Sequence, residues 1–245
     1  MRRFFVEDIT PLDSLVIIKG DEFVHLKRVL RLKIGDAASV FNGSGLELSG
    51  TVEAVEKDFA KIKIEQRIEH KNESPVHITL IQGLVKGDKP ELVIQKATEL
   101  GVNALFFYVA ARSVVQIKDS RLARWRKVAI EAAKQCGRAI VPAIIMADGM
   151  KAALGRLASE NSGALKLVFW EGADKKGVKE VLRGAHGCGS VAALVGPEGG
   201  FTEEEINDAI SSGFVPAGLG PRILRSETAG VAAVAVIQYE SGGMD

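Results

Sequence analysis

Residues Leu194–Gly230 read LVGPEGGFTEEEINDAISSGFVPAGLGPRILRSETAG, and the rest of the chain is organised around them. Two glycine- and proline-rich loops lie inside this stretch, GPEGG (Gly196–Gly200) and GLGPR (Gly218–Arg222). Each follows a short apolar run and each precedes a helical pattern. A loop at the carboxyl end of a strand is where α/β folds usually bind ligands. Glycine there lets a ligand approach the backbone, because it has no Cβ and accepts positive φ. Proline removes an N–H donor and stiffens the loop. Thr202 and Glu205 have the spacing of a capping box, which starts a helix just after the first loop. One such loop is an ordinary strand–helix turn. Two in succession, accompanied by Glu198, Arg225 and Glu227 that turn chemistry does not require, point to a ligand site.

Upstream of this stretch, from Val76, apolar runs alternate with helical patterns, the signature of a mainly parallel sheet. The strands expected are Val76–Leu84, Ala104–Val109, Ala143–Met146, Lys166–Trp170 and Ser190–Val195. A helix opens at Pro90 and ends at Gly101. A long one runs from Asp119 or Ser120 to near Gly137, and shorter ones start at Asp148 and near Lys176. The charges of Lys86–Glu99, KGDKPELVIQKATE, are explained mostly by helix solvation. The final helix, Ala229–Tyr239, is apolar nearly all round, which buries it in a core or against a partner subunit.

Residues 1–70 read differently. Short strand candidates are Arg2–Val6, Leu15–Ile18, Ala37–Phe41, Leu46–Val55 and Phe59–Ile68, with one helix from Asp21 to about Leu30. Several short strands in so little chain suggest a small barrel. The polar segment Glu69–Pro75, EHKNESP, sets a domain boundary, so residues 1–72 and 73–245 are expected to be separate domains.

Several function classes drop out. There is no Walker A sequence and no Gly-x-Ser-x-Gly. Gly187–Ala192 matches GxGxxA but precedes its strand, the wrong context for a dinucleotide fingerprint. His186 and Cys188 are too few for a metal, so no metal site is expected. Cys136 and Cys188 make no disulfide framework, and a reducing cytoplasm is the simplest inference. No apolar run approaches the roughly 20 residues of a membrane span. The net charge of +1 predicts no polyanionic partner by itself, so any nucleic-acid binding must come from local clustering.

Such a cluster exists. His25–Lys33 reads HLKRVLRLK, with no acidic residue between Phe23 and Gly35. His25, Lys27, Arg28 and Arg31 belong to it, and Lys27 and Arg31 are four apart, the spacing of one helix flank. Residues 1–70 hold eleven Lys/Arg against twelve Asp/Glu, so the charge is concentrated, not general. A solvated helix face explains most such runs. Arg2, Arg3 and the basic flank of the long helix, including Arg124 and Arg138, favour an RNA-facing surface.

These motifs together resemble a known family, the RsmE-type methyltransferases of the SPOUT superfamily, which act on uridine N3 of bacterial small-subunit (16S) ribosomal RNA. The resemblance rests on MRRFFV (Met1–Val6), HLKRVLRLKIGD (His25–Asp36), FNGSG (Phe41–Gly45), KGDKPELVIQKATELGV (Lys86–Val102), RWRKVAIEAAKQCGR (Arg124–Arg138), GPEGGF (Gly196–Phe201) and LGPRILRSETA (Leu219–Ala229). It covers nearly the whole chain, with Ser226 where relatives often have threonine.

The resemblance implies an amino-terminal PUA-like β-barrel for RNA and an α/β domain of SPOUT type, trefoil-knotted, around a mainly parallel sheet. It implies a homodimer and S-adenosylmethionine as cofactor. The cofactor would lie on Leu194, Val195, Gly196, Pro197, Glu198, Gly199 and Gly200 of the first loop. On the second it would meet Leu219, Gly220, Ile223, Leu224, Arg225, Thr228 and Ala229. Methylating N3 requires loss of its proton, which spreads charge to O2 and O4 of uracil. Arg225 would stabilise that charge. Glu198 or Glu227 would take the proton, or it would pass directly to water. A methyltransferase for a ribose 2′-hydroxyl, or an RNA-binding assembly factor without catalysis, are the competing readings.

Overall fold

The computed structural model describes residues 2–70, 72–110, 119–172, 176–185 and 187–244. Met1 of the first motif and His186 lie outside the described residues. Contacts divide the chain into two units, Met1–Glu73 with Ala133–Val141, and Ser74–Ala132 with Pro142–Asp245.

The first unit contains strands β1 (Arg3–Phe5), β2 (Leu15–Lys19), β3 (Ala37–Phe41), β4 (Glu47–Val55) and β5 (Phe59–Ile68). They form one sheet in the order β1-β3-β4-β5-β2, with β1 parallel to β3 and the other pairs antiparallel. β4 carries register shifts at Ser49/Gly50 and Val52/Ala54. Bulges of this kind bend and twist a strand, so the sheet curls. The result is a half-barrel, the small PUA-like barrel expected, with edge strands β1 and β2 not paired to each other. The concave face holds a core of Phe4, Ile18, Leu26, Val40, Leu48 and Ile62.

The helix expected over Asp21–Leu30 is short and irregular. α1 (Gly20–Val24) continues as a π-helical turn, His25–Val29, and Arg31 follows with φ of 52°. The wider π turn and the left-handed residue break the four-residue spacing, so Lys27 and Arg31 do not share a helix flank. Lys27 donates to the carbonyls of Glu56 and Lys57. Arg28 and Arg31 are exposed and make no ion pair among the described residues.

Arg3 and Arg138, expected on an RNA-facing surface, are instead buried. Arg3 pairs with Glu47 at 2.6 Å, the side chains being 8% and 2% exposed. It also donates to the carbonyls of Ala133, Lys134 and Arg138. These are end-of-helix acceptors, and a cation there satisfies orphan carbonyls and opposes the dipole. Ser39 donates to the same Glu47 at 2.6 Å. Arg138 donates to Glu73, which also accepts from the backbone of Ala139 and Ile140. These bonds explain why Ala133–Val141, distant in sequence, belongs to this unit. Arg2 is exposed and pairs with Asp36 at 3.2 Å. His25 is half-buried with its ring edge-on to Phe4.

The second unit is α/β. Its strands are β6 (His77–Gly83), β7 (Ala104–Tyr108), β8 (Ala143–Ala147), β9 (Leu165–Phe169), β10 (Lys176–Gly177), β11 (Ser190–Val195) and β12 (Val215–Gly218). Its helices are α2 (Lys89–Glu99), α3 (Asp119–Cys136), α4 (Met150–Glu160), α5 (Val178–Gly184), α6 (Glu203–Ser211) and α7 (Ser226–Glu240). The sheet order is β10-β12-β9-β11-β6-β7-β8 and every pair is parallel. The chain walks outward through β6, β7 and β8. β11 then inserts between β6 and β9, and β12 between β9 and β10.

α7 buries Gly230, Ala233, Val234, Ile237 and Gln238 against the sheet and α2. Gln238 donates to the Leu100 carbonyl at 2.7 Å. The other face, with Val231, Ala232, Ala235 and Val236, is half-buried, and Tyr239 is exposed. Arg3→Met should lower unfolding stability by about 3–5 kcal/mol, because it strands the buried Glu47 charge. Urea unfolding checks this; a loss under about 1 kcal/mol would show that Glu47 is not held by Arg3.

Candidate active site

A cleft of about 720 Å³ lies in the second unit. Its position follows from the strand order. Val195 is in register with Phe169 across β11 and β9, and Phe169 with Ala217 across β9 and β12. All three line the cleft, so it sits at the carboxyl ends of adjacent parallel strands. The loop after β9 adds Trp170 and Glu171, the loop after β11 adds Gly196–Phe201, and the loop after β12 adds Leu219 and Gly220. The two glycine loops read from sequence are thereby brought to one cavity.

Side-chain hydrogen bonds hold the loops. Gln82 on β6 is fully buried and donates to Ser226 Oγ at 2.7 Å. Ser226 Oγ in turn donates to the Gly196 carbonyl. Three separate segments meet there. Gly83 is necessary beside them, because a Cβ at that position would lie 2.5 Å from Pro197 N and 2.8 Å from Gly196 C. Tyr108 donates to the Val195 carbonyl at 3.3 Å. Burial, aided by Glu205, pushes its pKa well above the usual tyrosine value, so the hydroxyl stays a donor. Thr202 and Glu205 form the capping box expected, at 3.1 and 2.8 Å. Gly200 has φ of 69° and carries the left-handed turn of the first loop.

Charge is concentrated on one side of the cleft. Lys89, at the start of α2, pairs with Glu198 of the first loop and with Glu227 of α7, the latter at 3.3 Å. The bond to Glu198 raises the Lys89 pKa above the usual lysine value. Glu227 sits in the first turn of α7, where the helix dipole favours an anion. One of its oxygens, Oε2, is buried and has no hydrogen-bond partner among the described residues. Arg225 is the N-cap residue of α7. A cation at a helix N-terminus is unfavourable to the dipole, and this one is exposed without an ion pair among the described residues. A ligand anion or a developing negative charge would answer it. Arg222 is exposed beside it on the same cleft.

Most residues expected at the site line the cleft: Val195, Gly196, Pro197, Glu198, Gly199 and Gly200 of the first loop, and Leu219, Gly220, Ile223, Leu224, Arg225, Glu227 and Ala229 of the second. Two do not. Leu194 alternates with Val195 on its strand, and its side chain packs in the core with Ala192 and Ile206. Thr228 is exposed and off the cleft. Sequence reasoning missed Lys89, which helix solvation seemed to explain, and Gln82, Phe169, Trp170 and Glu171. Only the apolar run ending at Trp170 pointed to the last three. Arg124 is exposed and bonded to Glu91 at 2.8 Å. Among the described residues, no group of three His, Cys, Asp or Glu can hold a metal, and no helix is long and apolar enough to cross a membrane.

Comparison with known proteins adds the following. The model of an RNA methyltransferase domain matches residues 72–238, and that of an RNA methyltransferase PUA domain matches residues 18–65. A Bacillus subtilis protein named ribosomal RNA small subunit methyltransferase E is 33% identical, over 98% of this chain and 97% of its own length. A crystal structure of a Neisseria gonorrhoeae protein of that name, bound to S-adenosyl methionine, is 34% identical with a TM-score of 0.88, covering 98% and 97% of the two chains. A Legionella pneumophila structure in complex with the bound cofactor SAM is 31% identical with a TM-score of 0.83, covering 97% and 96%.

Gly83→Ala should destabilise the fold by about 1–3 kcal/mol through overpacking against the loop. Gly155→Ala, in mid-α4 with open space around it, should instead stabilise by about 0.5–1 kcal/mol. Denaturant unfolding of the pair checks both; equal effects would remove the special role of Gly83.

Proposed function

The chain belongs to the RNA methyltransferase family, with its PUA domain, and from that premise we propose that it transfers a methyl group from S-adenosylmethionine to N3 of a uridine in small-subunit ribosomal RNA. The observation that carries the reading is the cleft itself: two glycine loops at parallel strand ends, beside an Arg225 at a helix N-terminus that has no ion pair among the described residues.

The cleft fits that cofactor. Its volume is in the range of small-molecule sites. Val195, Leu219 and Leu224 offer apolar wall, and Ile223 is 79% exposed at its edge, surface that a bound adenine would cover. Bound there, S-adenosylmethionine supplies an electrophilic methyl group. The loops position that methyl against the base, which is where most of the entropy cost of the reaction is met. Arg225, with Arg222 beside it, stabilises negative charge on the uracil oxygens as N3 loses its proton. A cleft carboxylate accepts that proton.

The RNA is held by phosphate contacts on the first unit, where Arg28 and Arg31 remain available while Arg3 and Arg138 are committed internally. The protein works on ribosomal RNA in the cytoplasm. A second copy of the chain covers the half-buried face of α7, with Val231, Val236 and Tyr239 at its centre. Light scattering at micromolar concentration should give a dimer mass, and Val236→Asp should give a monomer mass; a wild-type monomer would remove the interface. Val234 and Ile237 are unsuitable for that test, because both are fully buried within the protomer.

The reaction is tested by mass spectrometry of ribosomal RNA nucleosides from cells with and without the protein. 3-Methyluridine should vanish from small-subunit RNA when the protein is absent, and a primer-extension stop should vanish with it. A lost 2′-O-methyl nucleoside would overturn the N3 reading. Arg28→Ala with Arg31→Ala should weaken RNA binding and reduce its salt slope by about two phosphates' worth, with cofactor affinity unchanged. Arg225→Ala should instead lower single-turnover rate at saturating RNA. An unchanged salt slope in the double variant would make the basic run a solvated surface only.

A further inference from the structure

The cleft contains two carboxylates that differ sharply in accessibility, and that difference assigns them different work. Glu227 has a side chain only 10% exposed, and its Oε2 is buried with no protein partner among the described residues. Its Oε1 faces Lys89 at 3.3 Å. A proton leaving a bound base must reach an oxygen that the base can touch; on Glu227 the buried Oε2 is out of reach and Oε1 is turned to Lys89. Glu198 is 36% exposed and lines the cleft. One of its oxygens receives the Lys89 ammonium, and the other has no protein partner among the described residues.

We propose that Glu198 is the carboxylate that accepts the N3 proton, and that Lys89, anchored from behind by Glu227, is the residue that positions it. The proposal rests on the uridine-N3 reading above. Lys89, Glu198 and Glu227 come from three different segments, the start of α2, the first loop and the start of α7. Glu227 is the buried anchor, while Lys89 and Glu198 are both about one-third exposed. Glu227 is tolerated in its buried place because Lys89 and the N-terminus of α7 both offset its charge. The ammonium is held protonated by its two partners. It therefore acts as a fixed cation that restrains Glu198 to one arrangement, much as an orienting group restrains a general base in other enzymes. Among the described residues the remaining charged groups on the cleft are Glu171, Arg222 and Arg225.

The step balances. The N3–H bond breaks and an O–H bond forms on Glu198. N3 uses the freed electron pair to bond the methyl carbon, as the carbon–sulfur bond breaks and leaves its pair on a neutral sulfur. Glu198, open to solvent, then gives its proton to water.

The test is single-turnover methyl transfer to small-subunit ribosomal RNA, alongside calorimetric affinity for S-adenosylmethionine and filter-binding affinity for the RNA. Glu198→Gln should slow transfer about a hundredfold, with both affinities within about twofold of wild type. Lys89→Met should slow it about tenfold at unchanged affinities, and Lys89→Arg should recover most of that loss. Glu227→Gln should cost less rate than Glu198→Gln. The assignment is overturned if Glu198→Gln stays within about threefold of wild type, if Glu227→Gln is the slower of the two, or if Lys89→Met loses cofactor affinity in proportion to rate. Thermal melting of each variant separates lost folding from lost chemistry, and a rate loss matched by unfolding counts against the proposal. Failure of the underlying reading is distinguishable: the wild-type product would then contain a methylated nucleoside other than 3-methyluridine.

Discussion

The hydrogen bonds that join Gln82, Ser226 and Gly196 hold the functional half of this protein together. They connect the end of β6, the loop after β11 and the first residue of α7, which are far apart in sequence. Gly83 makes the contact possible, since any side chain there would collide with Pro197 backbone. The cleft follows from this junction. Once Gly196 is held on β6 and Ser226 is held on Gly196, the two glycine loops face each other across the end of β9. Lys89, starting the helix after β6, then comes within reach of Glu198 and Glu227.

Charged residues of the same type do opposite work in this chain. Arg3 and Arg138 are withdrawn from solvent and hold carboxylates and helix-end carbonyls. Arg28 and Arg31 are exposed, and Arg225 stands at a helix N-terminus without an ion pair among the described residues. Burying an arginine without partners is prohibitive, and each buried one is paired with a carboxylate, Arg3 with Glu47 and Arg138 with Glu73. An exposed, unengaged one carries no structural obligation and is free to meet an anion.

Local chemistry made much of this legible beforehand. The alternation of apolar runs and helical patterns from Val76 gives the parallel sheet, and Thr202–Glu205 gives its helix start, because both depend on neighbours within a few residues. The glycine loops were legible for the same reason. Lys89 was not, since a charged residue at the first turn of a helix is ordinary until its partners are known. The spacing over Asp21–Leu30 predicts one α-helix, and the chain forms a short α turn and a π turn there, because nothing in residue spacing distinguishes the two.

By itself the sequence determined the class of the two parts, most strands and helices, and the identity of the loops that line the cleft. These are set by periodicity, capping and turn chemistry, all short-range. Only the tertiary structure decided the strand order, and with it everything that depends on adjacency. β11 and β12 insert between strands laid down earlier, and this places Phe169 between Val195 and Ala217. It seals Glu227 while leaving Glu198 open, and it turns Leu194 into the core. The physical reason is that burial and ion pairing are properties of neighbours in space, and a chain that inserts strands out of order makes neighbours that its sequence does not announce.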